Sequence, residues 1–457
     1  MNKETDLNKL MAAAKQGNPE AQYSLAWRYD EGDGVPQSDV KAAEWRHRAA
    51  KQGHMNAQIL LGIAYNEGRG VKQSHEQAVY WFRLAAEQGD PHAQLALGYA
   101  YEVGEGVEQS YESAAMWFRR AADQGHVASL WFLAALYEKG QGVEKSYEEA
   151  ARLYRKAAEL GDANAQSSLG RLYYTGRGVK RSYKEAVKWF ERAAEQGNSD
   201  AQAFLGRAYE KGKGVEQSHA QAVYWYSQAA EQGDADAQYS LGSIYAFGKG
   251  VKQSYEKAEM WLLRAADQGH ALSQWLLATL YTKGHVGKQS HKEAVKWYQK
   301  AAGQGNPNAQ FELAMLYESG KGVPQSNEIA LAWYQKAALQ GHADAQFFLG
   351  VKYANGEGVE TSYEEALKWY TRAAEHNHAN AMNNIGKMYE HGNGVKQSYA
   401  RAIQWYQRAA KMGLTMAMLN LGRLYEIGLG VQLNRKTAAA WYRKAADTLV
   451  GEEGGKE

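Results

Sequence analysis

Residues 57–92 read AQILLGIAYNEGRGVKQSHEQAVYWFRLAAEQGDPH, and this pattern recurs in 36-residue steps along a chain of 457 residues. Tyr65 belongs to a series running from Tyr29 to Tyr425, twelve tyrosines with no slip in spacing. A fixed period of about 20–50 residues marks a stacked repeat array whose units contact only their neighbours. The usual prior of roughly 150 residues per domain therefore gives way to one elongated body.

Each unit, numbered from position 1 at Ala21, predicts two helices. Ala21, Leu25, Arg28 and Tyr29 mark the face of the first at i, i+4, i+7 and i+8. The third of these is mostly apolar later on (Leu136, Leu172, Ile244, Leu280), as a buried stripe requires. Position 6 is Gly or Ala, as at Gly62, Gly98 and Ala134, which permits close helix approach. Gly68-Arg69-Gly70 ends the first helix, and Ser74 is placed to cap the second. Four copies match a full capping box: Ser146 to Glu149, Ser182 to Glu185, Ser290 to Glu293 and Ser362 to Glu365. The second helix is expected to bury Ala78, Trp81, Phe82, Ala85 and Ala86 and to stop at Gly89. Two helices alone cannot bury these faces, whereas stacked copies can.

Twelve units fit between residues 21 and 448. Residues 3–17 resemble a lone second helix with Lys9 in the tryptophan slot, which predicts a polar N-terminal capping helix. Residues 449–457 read as a disordered tail. No closing helix is expected after the last unit, which leaves that end open to self-association.

The residues Ala21, Leu25, Tyr29, Gly32, Gly34, Val35, Ala42, Trp45, Ala49, Ala50 and Gly53, with their copies, resemble the Sel-one-like repeat (SLR), a relative of the tetratricopeptide repeat. The resemblance implies an all-α fold, an α/α superhelix (solenoid) of helix-turn-helix repeats, and a role as scaffold or adaptor in protein complexes. Some units depart from the pattern. Repeat eight reads His285-Val286-Gly287 in its turn, Leu153 replaces the second-helix Trp of repeat four, and Asn377 replaces a closing Gly. A longer repeat is also visible: residues 111–140 and 255–284 agree at 20 of 30 positions.

Positions that repeat are explained by packing, so recognition is expected where they vary. Positions 3, 7 and 11 of the first helix lie off the buried stripe, and in the tetratricopeptide fold the equivalent face lines the concave groove. Of 14 tryptophans, eleven hold the repeated slot, and Trp27, Trp131 and Trp275 fall on this face. Tyr23 joins them. Next come the cations Lys139, Arg171, Arg207 and Lys211, then Tyr239, Phe247, Phe311, Met315 and Phe347. Together they predict a partner protein or peptide with acidic and bulky apolar residues. On this reading Trp275→Ala with Phe311→Ala abolishes partner binding and leaves the melting temperature nearly unchanged.

Other chemistry finds little footing. The net charge is +2, from 53 basic and 51 acidic residues, which gives no ground for general nucleic-acid or membrane attraction. Without cysteine there is no disulfide framework. Gly68 to Ser74 lacks the Gly-Lys-Ser/Thr of a phosphate loop and follows a helix. Ser38-x-x-Lys41 and Ser254-x-x-Lys257 match a serine-lysine motif, but both serines sit in the N-cap slot. His54, His126, His270, His342 and His378 share one slot, a helix layer or more apart, and read as solvated loop residues without a metal. No cofactor or catalytic residue is expected.

Residues 1–17 carry no apolar run long enough for a signal or membrane segment, so the expected location is cytoplasmic, or periplasmic or secreted if a leader was removed. A secreted or envelope host-interaction protein is the second functional expectation, and a glycan-binding or hydrolytic protein the third.

Overall fold

A computed structural model describes residues 3–287 and 289–453, with the side chains of 6–287 and 289–449. Twenty-five α-helices and no strand lie among the described residues. The chain divides into two compact units, Met1–Gln232 and Gly233–Glu457, each an all-α solenoid of stacked helix pairs. Met55–Glu67 and His75–Glu87 form one such pair, each thirteen residues long. The last helix, Arg435–Glu453, spans nineteen. It continues through 449–453, where the sequence suggested a disordered tail, and 454–457 lie outside the described residues.

First helices start at the side chain in position 34. Asp90 Oδ1 accepts from the Ala93 N–H at 2.7 Å, and His54 Nδ1 accepts from the Ala57 N–H at 3.2 Å. The histidines of this slot are therefore not idle loop residues. His54, His270, His342 and His378 all accept from an N–H of the first turn, which satisfies one of its orphan donors.

Second helices start at serine, except the last, which starts at Asn434. Ser74 Oγ accepts from the Gln77 N–H at 3.2 Å, while the Ser74 N–H donates to the Tyr65 carbonyl at 2.9 Å. That second bond leaves the expected capping boxes half-formed. Ser146 accepts from the Glu149 N–H, but its own N–H is already taken by the Tyr137 carbonyl. The Glu149 carboxylate therefore turns outward to Arg152 at 2.9 Å, and Glu185, Glu293 and Glu365 likewise pair with Lys188, Lys296 and Lys368.

Two glycines show why the repeat keeps its register. A Cβ on Gly62 would lie 2.6 Å from the Phe82 ring, so position 6 is small to admit the second helix of its own repeat. A Cβ on Gly70 would lie 2.1 Å from the Asp39 carbonyl oxygen, so the turn rests on the preceding second helix. Repeat eight has Val286 at the latter position; its side chain is buried in the local core and Gly287 takes the positive φ. Asn377 holds its left-handed turn at φ 62.

Within each unit a buried glutamine ties most repeats to the one before. Gln94 Nε2 donates to the Ala86 carbonyl at 3.1 Å, and Gln94 Oε1 accepts from Gln124 Nε2 at 2.9 Å. Gln58 does the same between Ala50 and Gln88. At the N-terminal end Gln22 reaches the Ala14 carbonyl of the helix Lys3–Lys15, which thereby takes the place of a preceding second helix. Burying an amide is costly unless its hydrogen bonds are made. Repeat four replaces both partners by Leu130 and Leu160, and repeat eleven by Met382 and Met412. Repeat ten changes one alone: His376 stands where Gln is usual, and Gln346 Oε1 is buried without a partner. His376→Gln is expected to supply the missing donor and stabilise the second unit by about 1 kcal/mol. Thermal unfolding of the variant beside wild type measures it; an unchanged or lower Tm contradicts the assignment.

Candidate partner-binding face

The first-helix face takes its shape from position 3, which packs along the seam to the next repeat. Trp131 Nε1 donates to Ser168 Oγ at 3.4 Å, and Asn420 Nδ2 donates to Asn383 Oδ1 at 3.0 Å. Aromatic rings at position 3 also meet the capping histidine that begins the next first helix. Tyr23 stacks on His54 at 4.6 Å, and Phe347 on His378 at 4.5 Å. Tyr239 lies 5.1 Å from His270 with the rings tilted. Burial among these rings holds the His342 and His378 imidazoles below their ordinary pKa, with Asp344 opposing the shift.

Phe311 is thus a correction to the sequence reading. It is only 9% exposed, stacked on His342 at 4.7 Å and packed with Tyr334 and Phe348. Trp275 is half-buried between two local cores, and its indole Nε1 is shielded from solvent without a partner. Neither residue is a free anchor, because position 3 faces the neighbouring repeat rather than solvent. Among the expected residues, the freely presented apolar groups are at positions 7 and 11: Trp27 (49% exposed), Phe247 (59%) and Met315 (39%).

In the first unit several expected residues do converge. Position 3 shrinks to Ser167 and Ala203 in two successive repeats after Trp131. A hollow of about 700 Å³ opens there, walled by Trp131, Tyr147 and Phe204 and floored by Ser167 and Ser168. Lys139 and Arg171 line it as well. The Arg171 guanidinium is held in a fork by Glu138, at 2.7 and 2.8 Å, and the Tyr154 hydroxyl donates to the same carboxylate at 3.2 Å. Those hydrogen bonds raise the Arg171 pKa, and burial followed by the Glu138 charge raises that of Tyr154.

Other cations at the rim rest on rings instead of carboxylates. Lys145 and Arg177 lie over Tyr147 at 5.2 and 5.4 Å, and Arg207 over Phe204 at 5.7 Å. Lys211 pairs with Glu210 on the surface and is not part of the lining. Tyr23 and Trp27 sit in repeat one and do not line it either. The signal for the hollow was present in the sequence as a fall in side-chain size. A search for large residues passes over it.

The Sel1 repeat model matches twelve consecutive segments, 19–54, 56–90, 91–126, 127–162, 163–198, 199–234, 235–270, 271–306, 307–342, 343–378, 379–414 and 415–447. The chain belongs to the Sel1 repeat family. Among solved Sel1-type structures, it is similar to c5321, a protective antigen present in uropathogenic Escherichia coli strains that displays an SLR fold. The identity is 33% over 98% of this chain and 95% of that one, with a TM-score of 0.79. A Sel1 repeat protein from Oxalobacter formigenes is 35% identical over 68% of this chain and 90% of its own, with a TM-score of 0.56. No curated protein matches by sequence. Sel1 repeat proteins are in general protein-interaction scaffolds. Among the described residues no helix is long and apolar enough to cross a membrane, and no group of three or more His, Asp or Glu is placed to hold a metal ion.

The revised placement of the aromatics changes what their removal does. Phe311→Ala is expected to destabilise the second unit by about 3 kcal/mol through the cavity it leaves. Trp27→Ala, at a solvated position, should stay within about 0.5 kcal/mol of wild type. Urea unfolding of the two variants separates them, and equal effects would contradict the burial assigned here.

Proposed function

We propose that this Sel1 repeat chain is a non-catalytic scaffold that holds segments of partner proteins against its first-helix face. The segments it suits carry acidic residues around a bulky apolar side chain. The hollow beside Trp131 supports this reading. Its floor is small where repeats one, four and seven to ten carry rings at position 3, and Trp131, Tyr147 and Phe204 offer an apolar side chain a seat among polar neighbours. Among the described residues no carboxylate lies within ion-pairing distance of Lys139, Lys145, Arg177 or Arg207. The cations in and around the hollow outnumber the Glu138 and Asp200 carboxylates that also line it, which favours an acidic segment and speeds its arrival.

A second reading has one observation in its favour. The likeness to c5321, a protective antigen, extends over 98% of this chain. We infer from it an alternative in which the same face serves an exported protein that contacts a host. Cell fractionation separates the two locations: a protein confined to the cytoplasm supports the first.

Ser167→Phe tests the hollow, because it restores at repeat five the ring that repeat nine already carries. A fluorescein-labelled peptide with one Trp between glutamates is expected to bind wild type and to bind Ser167→Phe about tenfold more weakly. The Tm should be unchanged, and added salt should weaken the wild-type complex. Equal binding to both proteins removes the hollow from the function.

A further inference from the structure

Repeat three breaks a contact that other repeats close. Position 10 of several repeats is a glutamate that closes a three-part contact. Glu138 takes the Arg171 fork from the next first helix and the Tyr154 hydroxyl from its own second helix. In the second unit Glu390 takes Arg423 and the Tyr406 hydroxyl in the same register. Glu102 holds position 10 of repeat three, but both partners are changed. Phe118 replaces the tyrosine, and Ala135 replaces the arginine.

The result is a carboxylate whose Oε2 is shut off from solvent without a hydrogen bond. Lys139 is close enough to act on it through space but forms no ion pair with it, and burial outweighs that attraction to raise the Glu102 pKa. Ala135, the small residue in the arginine register, lines the hollow beside Trp131 and Lys139. Glu102 does not itself line the hollow, but the register of Glu138 with Arg171 puts it next to Ala135, which does. A guanidinium fits this pairing better than an ammonium, because its planar fork matches both carboxylate oxygens, as Arg171 does one repeat on.

We propose that Glu102 receives the guanidinium of an arginine carried by the bound partner segment, beside the apolar side chain that enters the hollow. The proposal rests on the partner-binding reading above and adds one residue type to it.

Two experiments keep the failures apart. The first uses pairs of fluorescein-labelled peptides, each with a Glu-Trp-Glu core and either Arg or Gln at one end, with both ends tried. The Arg peptide is expected to bind wild type about tenfold more tightly than its Gln twin. That gain should vanish in Glu102→Gln and in Ala135→Arg, where the chain fills its own seat. A gain that persists in Glu102→Gln, or equal binding of the twins to wild type, overturns the proposal. The second is thermal unfolding. Ala135→Arg should raise Tm, and Glu102→Gln in the same chain should cancel the rise. If neither peptide binds wild type, the hollow reading has failed. The seat then stands on a Tm rise that depends on Glu102 and falls without one.

Discussion

The glutamine relay is the contact on which the stacked helices depend. Most of the interface between repeats is alanine and leucine, which adhere without specifying register. An amide with one acceptor on the previous repeat and one donor in its own has a single place to sit. Gln94 between Ala86 and Gln124 shows the constraint at its simplest. Misplacing the stack by one residue would bury both groups unpaired, a cost comparable to a large share of a domain's net stability. Glycine in the turn adds a steric version of the same rule, since at Gly70 only a missing side chain lets the turn lie on the backbone before it.

Most of this was legible in the residues. The 36-residue period, the two helices and the serine starts all follow from spacing and side-chain type. What spacing does not reveal is which residues meet across the seam. The stacking of His54 on Tyr23, for one, joins positions 31 residues apart. Phe311 was misread for the same reason: an amphipathic wheel places it off the main stripe, but a solenoid helix has buried flanks on two sides. The capping boxes failed more locally, because the serine N–H had a better acceptor in the Tyr137 carbonyl.

Of the expected binding residues, Trp131, Lys139 and Arg171 meet around one hollow, and Arg207 reaches its wall through Phe204. The others are spread along seams or stand alone. Recognition and cohesion are less separable than variation along the chain suggests. Trp131 is both a wall of the hollow and a hydrogen-bond donor to the next repeat. Arg171 is a rim cation whose charge is already committed to Glu138. The informative variations are the small ones, Ser167, Ala203 and Ala135, where a repeat gives up volume that its neighbours fill.

The relay also sets where such an array can be shortened or spliced. A cut between two repeats joined by glutamine strands a polar side chain that its new neighbour must accommodate. The junctions entering repeats four, eleven and twelve carry Leu130, Met382 and Met418 instead, and nothing polar crosses there from that position. Those three are the natural seams for modular excision, since an apolar end exposed by the cut asks only to be covered and imposes no pairing on what covers it.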